Sequence, residues 1–117
     1  MNIETLRNYC LSKPGANESF PFGEDILVFK VGGKVFALTS LEARPLSVNL
    51  KCNPELAVEL REQYDAVRPG YHMNKVHWNT VLINGTIREI DLKTWIDHSY
   101  DLIVASLPKT VRQELEK

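Results

Sequence analysis

The chain has 117 residues, of which 44% are hydrophobic and 25% are charged, and its formal net charge is −1. This length fits one compact domain, residues 1–117, and the near-neutral charge argues against a strongly cationic nucleic-acid binder. The apolar runs are too short for a membrane span or an export signal, so we expect a soluble, cytoplasmic protein that is a monomer by default.

The first third of the chain predicts a helix followed by a hairpin. Apolar residues recur at helical spacing from Ile3 to Cys10, and "KPG" ends the run, which predicts a helix near residues 2–12. Two β-rich runs, "DILVFKV" and "KVFALT", flank Gly32-Gly33. Two glycines between such runs predict a tight hairpin, because the central residues of the turn need positive φ.

A third strand is predicted at "LSVNLKC", where apolar and polar residues alternate strictly. The apolar face would hold Leu46, Val48, Leu50 and Cys52, and the polar face Ser47, Asn49 and Lys51. This pattern is typical of a strand that buries one face and exposes the other.

The second half of the chain predicts two helices around one more strand. Asn53-Pro54 opens a helix, with asparagine as the N-cap, and a connector "AVRPGYHMNK" leads to a strand at "HWNTVLI". A longer helix follows from Asp91 until Pro108 interrupts it, and a short polar helix fits after that proline. The order of elements predicts an α+β fold, with an antiparallel sheet of four or more strands covered on one side by helices.

Charge is unevenly distributed along the chain. Residues 26–54 and 66–88, which are the predicted strands and turns, have a net charge of +6, whereas the remaining residues have a net charge of −7. One interpretation is a basic sheet opposite acidic helices. The alternative is that helix first turns favour acidic residues and strands deplete them, which would bias the count in the same direction.

Residues 70–80, "GYHMNKVHWNT", are the most chemically unusual stretch, but they do not predict a reactive centre. The spacing of His72 and His77 puts their side chains on opposite faces of a strand, and no cysteine or carboxylate lies nearby, so we expect no metal site. Cys10 and Cys52 are far apart and are expected to be reduced, buried thiols. With no nucleophile elbow and no phosphate-binding loop, we expect neither enzyme activity nor a cofactor.

Four segments together resemble the MmcQ/YjbR family of small bacterial proteins: "YCLSKPGANESFPFGEDILVFKVGGKVFAL", "RPLSVNLKCNPELAVELR", "VRPGYHMNKVHWNTV" and "SYDLIVASLPK". The resemblance implies a CyaY/frataxin-like fold described as a double-wing DNA-binding motif. Frataxins carry a carboxylate-rich ridge on the first helix, where this chain has only Glu4. Iron binding is therefore not expected.

Three interpretations of this signature remain open. The first is weak DNA binding of low sequence specificity, in which the hairpin tip and the 68–77 connector act as wings; its candidate phosphate contacts are Lys34, Arg44, Lys51, Arg68 and Lys75. The second is a small-molecule or peptide pocket lined by Tyr71, His72, Asn74, His77 and Trp78. The third is structural, with Tyr71 and Trp78 capping the core and Asn74 tying down the loop.

Overall fold

The computed structural model describes residues 1–71 and 73–115, and in these ranges it has four helices and a six-stranded sheet. The predicted α+β fold is confirmed. The helices are α1 (Ile3–Ser12), α2 (Pro54–Gln63), α3 (Glu89–Ala105) and α4 (Lys109–Leu115). The strands are β1 (Asn17–Ser19), β2 (Ile26–Val31), β3 (Lys34–Ser40), β4 (Ser47–Lys51), β5 (Val67–Pro69) and β6 (Trp78–Leu82).

The sheet is antiparallel, with the strand order β1-β2-β3-β4-β6-β5. The predicted hairpin is confirmed: β2 and β3 meet at Gly32 and Gly33, whose φ values of 57° and 82° lie in the left-handed region that glycine tolerates. The edge strands β1 and β5 are not predicted from the sequence, and β5 occupies the start of the predicted connector. Each has only three residues, so alternation cannot reveal it, and a longer neighbour supplies its backbone partners.

The hydrophobic core lies between the helices and one face of the sheet. Its members include Leu6 of α1, Phe29 of β2, Leu50 of β4, Leu60 of α2 and Ile96 of α3, all 7% exposed or less. Apolar stripes on the helices and alternation in the strands therefore identified the buried faces correctly, because both periods are set by backbone geometry.

The predicted starts of α2 and α3 differ in accuracy. Asn53 caps α2 as predicted, and its side-chain oxygen accepts the backbone N–H of Glu55 at 3.0 Å. Helix α3 begins at Glu89, two residues before the predicted start at Asp91. The Arg88 side chain donates to the Asp91 carboxylate at 2.9 Å and thereby closes the first turn without an N-cap side chain of the usual type.

A helix side chain forms a hydrogen bond with the backbone of a β-bulge in β3. Phe29 pairs with Ala37 and Lys30 pairs with Val35, so Phe36 is the extra residue. The hydroxyl of Ser99, which is fully buried in α3, donates to the Phe36 carbonyl oxygen at 2.5 Å and accepts the backbone N–H of Lys51 at 2.9 Å. One serine thus bridges β3 and β4 beyond the end of their direct pairing.

Candidate binding groove

The face of the sheet that points away from the helices, here the open face, is crossed by a row of paired side chains. The register joins Val28 to Leu38, Leu38 to Asn49, Asn49 to Thr80, and Thr80 to Arg68. Directly paired residues point to the same face of a sheet, and the residues that flank this row include core members. The row therefore runs across five strands of the open face.

A groove of about 730 Å³ lies over this row. Three loops form its walls: Phe22 comes from the β1–β2 loop, Ala43 from the β3–β4 loop, and Tyr71 and Met73 from the β5–β6 loop. Phe22 is 68% exposed and Tyr71 is 69% exposed. The volume falls within the range of roughly 300–1,000 Å³ that is usual for small-molecule sites.

The floor of the groove holds the loop that carries Tyr71. The Tyr71 backbone N–H donates to the Thr80 hydroxyl at 2.9 Å, and the Tyr71 carbonyl oxygen accepts from the Asn49 side chain at 3.4 Å. The Thr80 hydroxyl in turn donates to the Asn49 side-chain oxygen at 2.6 Å. Asn49 is 8% exposed because this loop covers it, so its predicted place on the solvent-facing side of β4 is wrong with respect to burial.

The same loop is fastened from the helix side by Arg61 of α2. Its guanidinium donates to the Asn79 side-chain oxygen at 2.7 Å, to the Trp78 carbonyl oxygen at 3.2 Å, and to the Lys75 carbonyl oxygen. The Asn74 side chain accepts the backbone N–H of Val76 at 2.9 Å, which closes a turn inside the loop. The third interpretation of the signature expected Asn74 to hold this loop in place, and the turn that its side chain closes agrees with that expectation.

Gly70 is required at the start of the loop for reasons of space. A Cβ atom there would lie 2.8 Å from the Trp78 Cβ and 2.9 Å from the Trp78 carbonyl oxygen, to which the Gly70 N–H donates at 2.8 Å. A side chain at this position would push the loop away from β6. The Pro-Gly pair therefore sets the close approach of loop and strand.

The five candidate phosphate contacts do not form one surface. Lys34 begins β3, which has seven residues and spans roughly 20 Å, whereas Arg44 lies in the loop that follows the other end of this strand. The hairpin tip beside Lys34 lies against α4, because a Cβ on Gly32 would come within 2.6 Å of Leu107 and 3.1 Å of Val111.

The other candidates differ in their surroundings. Lys51 is paired with Trp78 on the open face, Arg68 lines the groove, and the Lys75 ammonium donates to the Gly70 carbonyl oxygen at 3.2 Å.

Of the five candidate pocket residues, the structure brings Tyr71 to the groove. Asn74 and His77 are exposed in the loop, and Trp78 is half-buried at the start of β6. His72 lies outside the described residues. The sequence reasoning missed Phe22 and Met73, and "FPFG" was the available signal for Phe22, since two aromatics in a proline- and glycine-containing loop have no strand or helix in which to be buried.

Outside the groove, two thiols are buried and the His98 ring contacts the backbone. Burial raises the pKa of the Cys10 thiol to about 12 and that of the Cys52 thiol to about 11, and both cysteines are free. The His98 ring nitrogen accepts the backbone N–H of Asn53 at 3.2 Å. Among the described residues, no three histidines, cysteines or carboxylates are grouped so that they could hold a metal ion. Within residues 1–71 and 73–115, no helix combines the length and apolar character needed to cross a bilayer.

Comparisons with known proteins identify the family. The family model described as YjbR matches residues 11–102. YjbR of Escherichia coli strain K12 is 40% identical over 116 residues, which is 98% of each chain, and YbdF of Escherichia coli O157:H7 is 39% identical over 91% of this chain and 87% of its own length.

Solved structures agree with that assignment. The crystal structure of Deinococcus radiodurans protein DR2400 has a TM-score of 0.92 at 38% identity and covers 98% of this chain and 88% of that chain. The crystal structure of a Pseudomonas syringae protein has a TM-score of 0.77 at 29% identity and covers 88% of this chain and 99% of its own. On this evidence the chain belongs to the YjbR family.

Proposed function

We propose that this protein is a non-catalytic binding module that takes a small molecule with an apolar, planar body into the open-face groove. The observation that carries the proposal is the groove itself, in which exposed Phe22 and Tyr71 from separate loops line one concavity with Leu38 and Met73. Exposed aromatics are costly to leave in water and are the side chains that most often anchor ligands.

The groove wall is held in place before any ligand arrives. Tyr71 is tethered through its backbone to Thr80 and Asn49, and Arg61 fixes the far end of the same loop. A wall that is already ordered loses little conformational entropy on binding, which favours affinity. This supports binding rather than a purely structural role for the signature loop.

A fluorescence titration with the neutral dye N-phenylnaphthylamine tests the proposal. We expect the dye to bind the folded protein and each of Tyr71→Ala and Phe22→Ala to weaken its affinity by about three- to tenfold, as expected for the loss of one aromatic contact. Ile90→Ala is the matched control, because Ile90 is 66% exposed but lies in α3. Dye binding that is absent, or that falls equally in all three variants, would refute the proposal.

Weak DNA binding is the second candidate, and the charge pattern of the open face favours it. Lys30, Lys51 and Arg68 occupy open-face positions in β2, β4 and β5, and the open-face positions of the six described strands include no carboxylate. Glu18 of β1 lies on the other face, paired with Arg7 of α1 at 2.6 Å. Such a surface would bind phosphates with little sequence preference.

Anisotropy titrations with a short DNA duplex at two salt concentrations test this second candidate. Binding at low salt that weakens as salt rises, and that is reduced by Lys51→Gln, is expected from phosphate contacts. Lys109→Gln in α4 is the control, since it removes the same charge from a helix. An absence of binding at low salt, or binding without a salt dependence, would exclude it.

A further inference from the structure

Arg68 is the charged residue of the groove. Among the described residues that line the groove, it alone carries a formal charge, and the others are apolar or neutral polar side chains. Within residues 1–71 and 73–115, Arg68 makes no ion pair and no side-chain hydrogen bond. Its guanidinium therefore presents its donors to whatever enters the groove.

Four of the other five arginines have partners for their side chains among the described residues. Arg7 and Arg88 pair with the carboxylates of Glu18 and Asp91, at 2.6 Å and 2.9 Å. Arg61 donates to the β6 segment, and Arg44 donates to the carbonyl oxygens of its own loop. Within the described residues, Arg68 and Arg112 are the arginines without such a partner, and of these two Arg68 is the one that lines the groove.

Among the described residues that line the groove, none carries a carboxylate that could neutralise Arg68. The acidic residues closest in sequence to the lining residues are Glu24, Asp25 and Glu42, which are exposed loop residues, and none of them lines the groove. An anion in the groove would therefore meet a positive charge without a competing protein carboxylate.

The row of paired residues beneath the groove changes from charged and polar to apolar along its length. The row begins with Arg68, passes Thr80 and Asn49, and reaches Leu38 after three strand steps, a distance of about 14 Å at ~4.8 Å per strand. Phe22 lines the groove with Leu38. The positive charge of Arg68 and the apolar surface of Leu38 and Phe22 therefore lie towards opposite ends of this row.

From this charge complementarity we propose that the ligand is an organic acid, whose anionic oxygen group pairs with Arg68 and whose apolar or aromatic body extends towards Leu38 and Phe22. Arginine matches oxyacid groups well, because its planar fork can donate two parallel hydrogen bonds to carboxylate, sulfonate or phosphate oxygens. The proposal rests on the apolar groove function proposed above and adds the chemical class of its ligand.

Two dyes with the same aromatic rings distinguish the proposed groove function from the inference that the ligand is an organic acid. N-phenylnaphthylamine is neutral, whereas anilinonaphthalene sulfonate carries the same aromatic rings and one sulfonate. We expect the folded protein to bind the sulfonate about tenfold more tightly than the neutral dye, the scale of one charge-assisted hydrogen-bonded pair at a partly exposed site. Rising salt should reduce this preference.

Variants at Arg68 test whether this residue causes the preference for the sulfonate dye. Arg68→Met removes the charge but keeps an apolar stem, so it is expected to abolish the preference and to bring the affinities for the two dyes to a similar value. Arg68→Lys should retain part of the preference, and Lys109→Gln should retain all of it. Circular dichroism confirms that each variant is folded before titration.

The outcomes distinguish the two proposals. Equal affinity of the folded protein for both dyes, or a preference that survives in Arg68→Met, overturns the organic-acid inference and leaves the apolar groove intact. If neither dye binds, or if binding is insensitive to Tyr71→Ala and Phe22→Ala, the groove function itself fails and the inference fails with it.

Discussion

Replacing Thr80 with valine tests whether the floor of the groove holds the β5–β6 loop, which carries Tyr71, in place. The Thr80 side chain is 9% exposed, accepts the Tyr71 N–H at 2.9 Å and donates to the Asn49 side chain at 2.6 Å. Valine has nearly the same shape as threonine but can make neither bond. The substitution therefore removes the tether and leaves the packing of β6 almost unchanged.

The expected cost follows from these contacts. Two hydrogen bonds contribute ~1 kcal/mol each to stability, and a buried acceptor left without its donor adds part of a further ~1–3 kcal/mol. The Asn49 oxygen is such an acceptor, because that residue is 8% exposed. We expect Thr80→Val to lower the free energy of unfolding by about 2–3 kcal/mol, which corresponds to a fall in Tm of about 8–12 °C for a domain of this size.

Urea unfolding at neutral pH, followed by tryptophan fluorescence and by circular dichroism, measures this loss. Thr94→Val is the matched control: Thr94 is exposed in α3 and donates to the Ile90 carbonyl oxygen at 2.8 Å, so a change below about 0.5 kcal/mol is expected. Thr80→Val should also weaken the binding of N-phenylnaphthylamine, because Tyr71 loses its anchor. If Thr80→Val is as stable as Thr94→Val and binds the dye with unchanged affinity, the tether does not organise the loop.

Three further predictions concern the fold around the groove. Gly70→Ala brings a methyl group within 2.9 Å of the Trp78 carbonyl oxygen, so we expect a loss of about 1–3 kcal/mol in the same urea assay; a neutral effect would show that the loop can shift freely. Ser99→Ala leaves the Phe36 carbonyl and the Lys51 N–H without their bridge and should cost about 2–4 kcal/mol, against less than about 0.5 kcal/mol for the exposed Ser106→Ala. Burial raises the pKa of the Cys10 thiol to about 12 and that of Cys52 to about 11 from 9.0, so stability is full below about pH 9 and falls as pH rises towards these values, because the unfolded thiols lose their protons first. Urea midpoints at rising pH check this sign, and iodoacetamide should label both cysteines much more slowly in the folded protein than in urea; equal labelling rates would contradict it.

The helices and the long strands follow from local patterns in the sequence. Helix α1 was placed from its apolar spacing and the β2–β3 hairpin from Gly32-Gly33, since both signals depend on neighbouring residues and on allowed backbone dihedrals. The edge strands β1 and β5 leave no such pattern, because pairing with a longer strand creates them.

Site residues were predicted less well than the fold, for a similar reason. Arg61 holds the loop against α2 through side-chain hydrogen bonds, and sequence spacing does not connect its position with Lys75 or Asn79. Lys34 and Arg44 were grouped with Arg68 by charge, but Lys34 begins β3 and Arg44 lies in the loop beyond its other end. Composition reports charge along the chain and says nothing of which charges share a surface.

The sequence alone determined the class of fold, the family resemblance, the β2–β3 hairpin and the N-cap of α2, because periodicity, capping and turn chemistry are encoded locally. Only the tertiary structure decided that Phe22 and Tyr71 line one groove, that Asn49 is buried beneath a loop, and that Arg68 lies in the groove without an ion-pair partner among the described residues. These features depend on strand register and loop closure between residues far apart in the chain. No local pattern specifies that register, since it is the packing of the whole sheet that selects it.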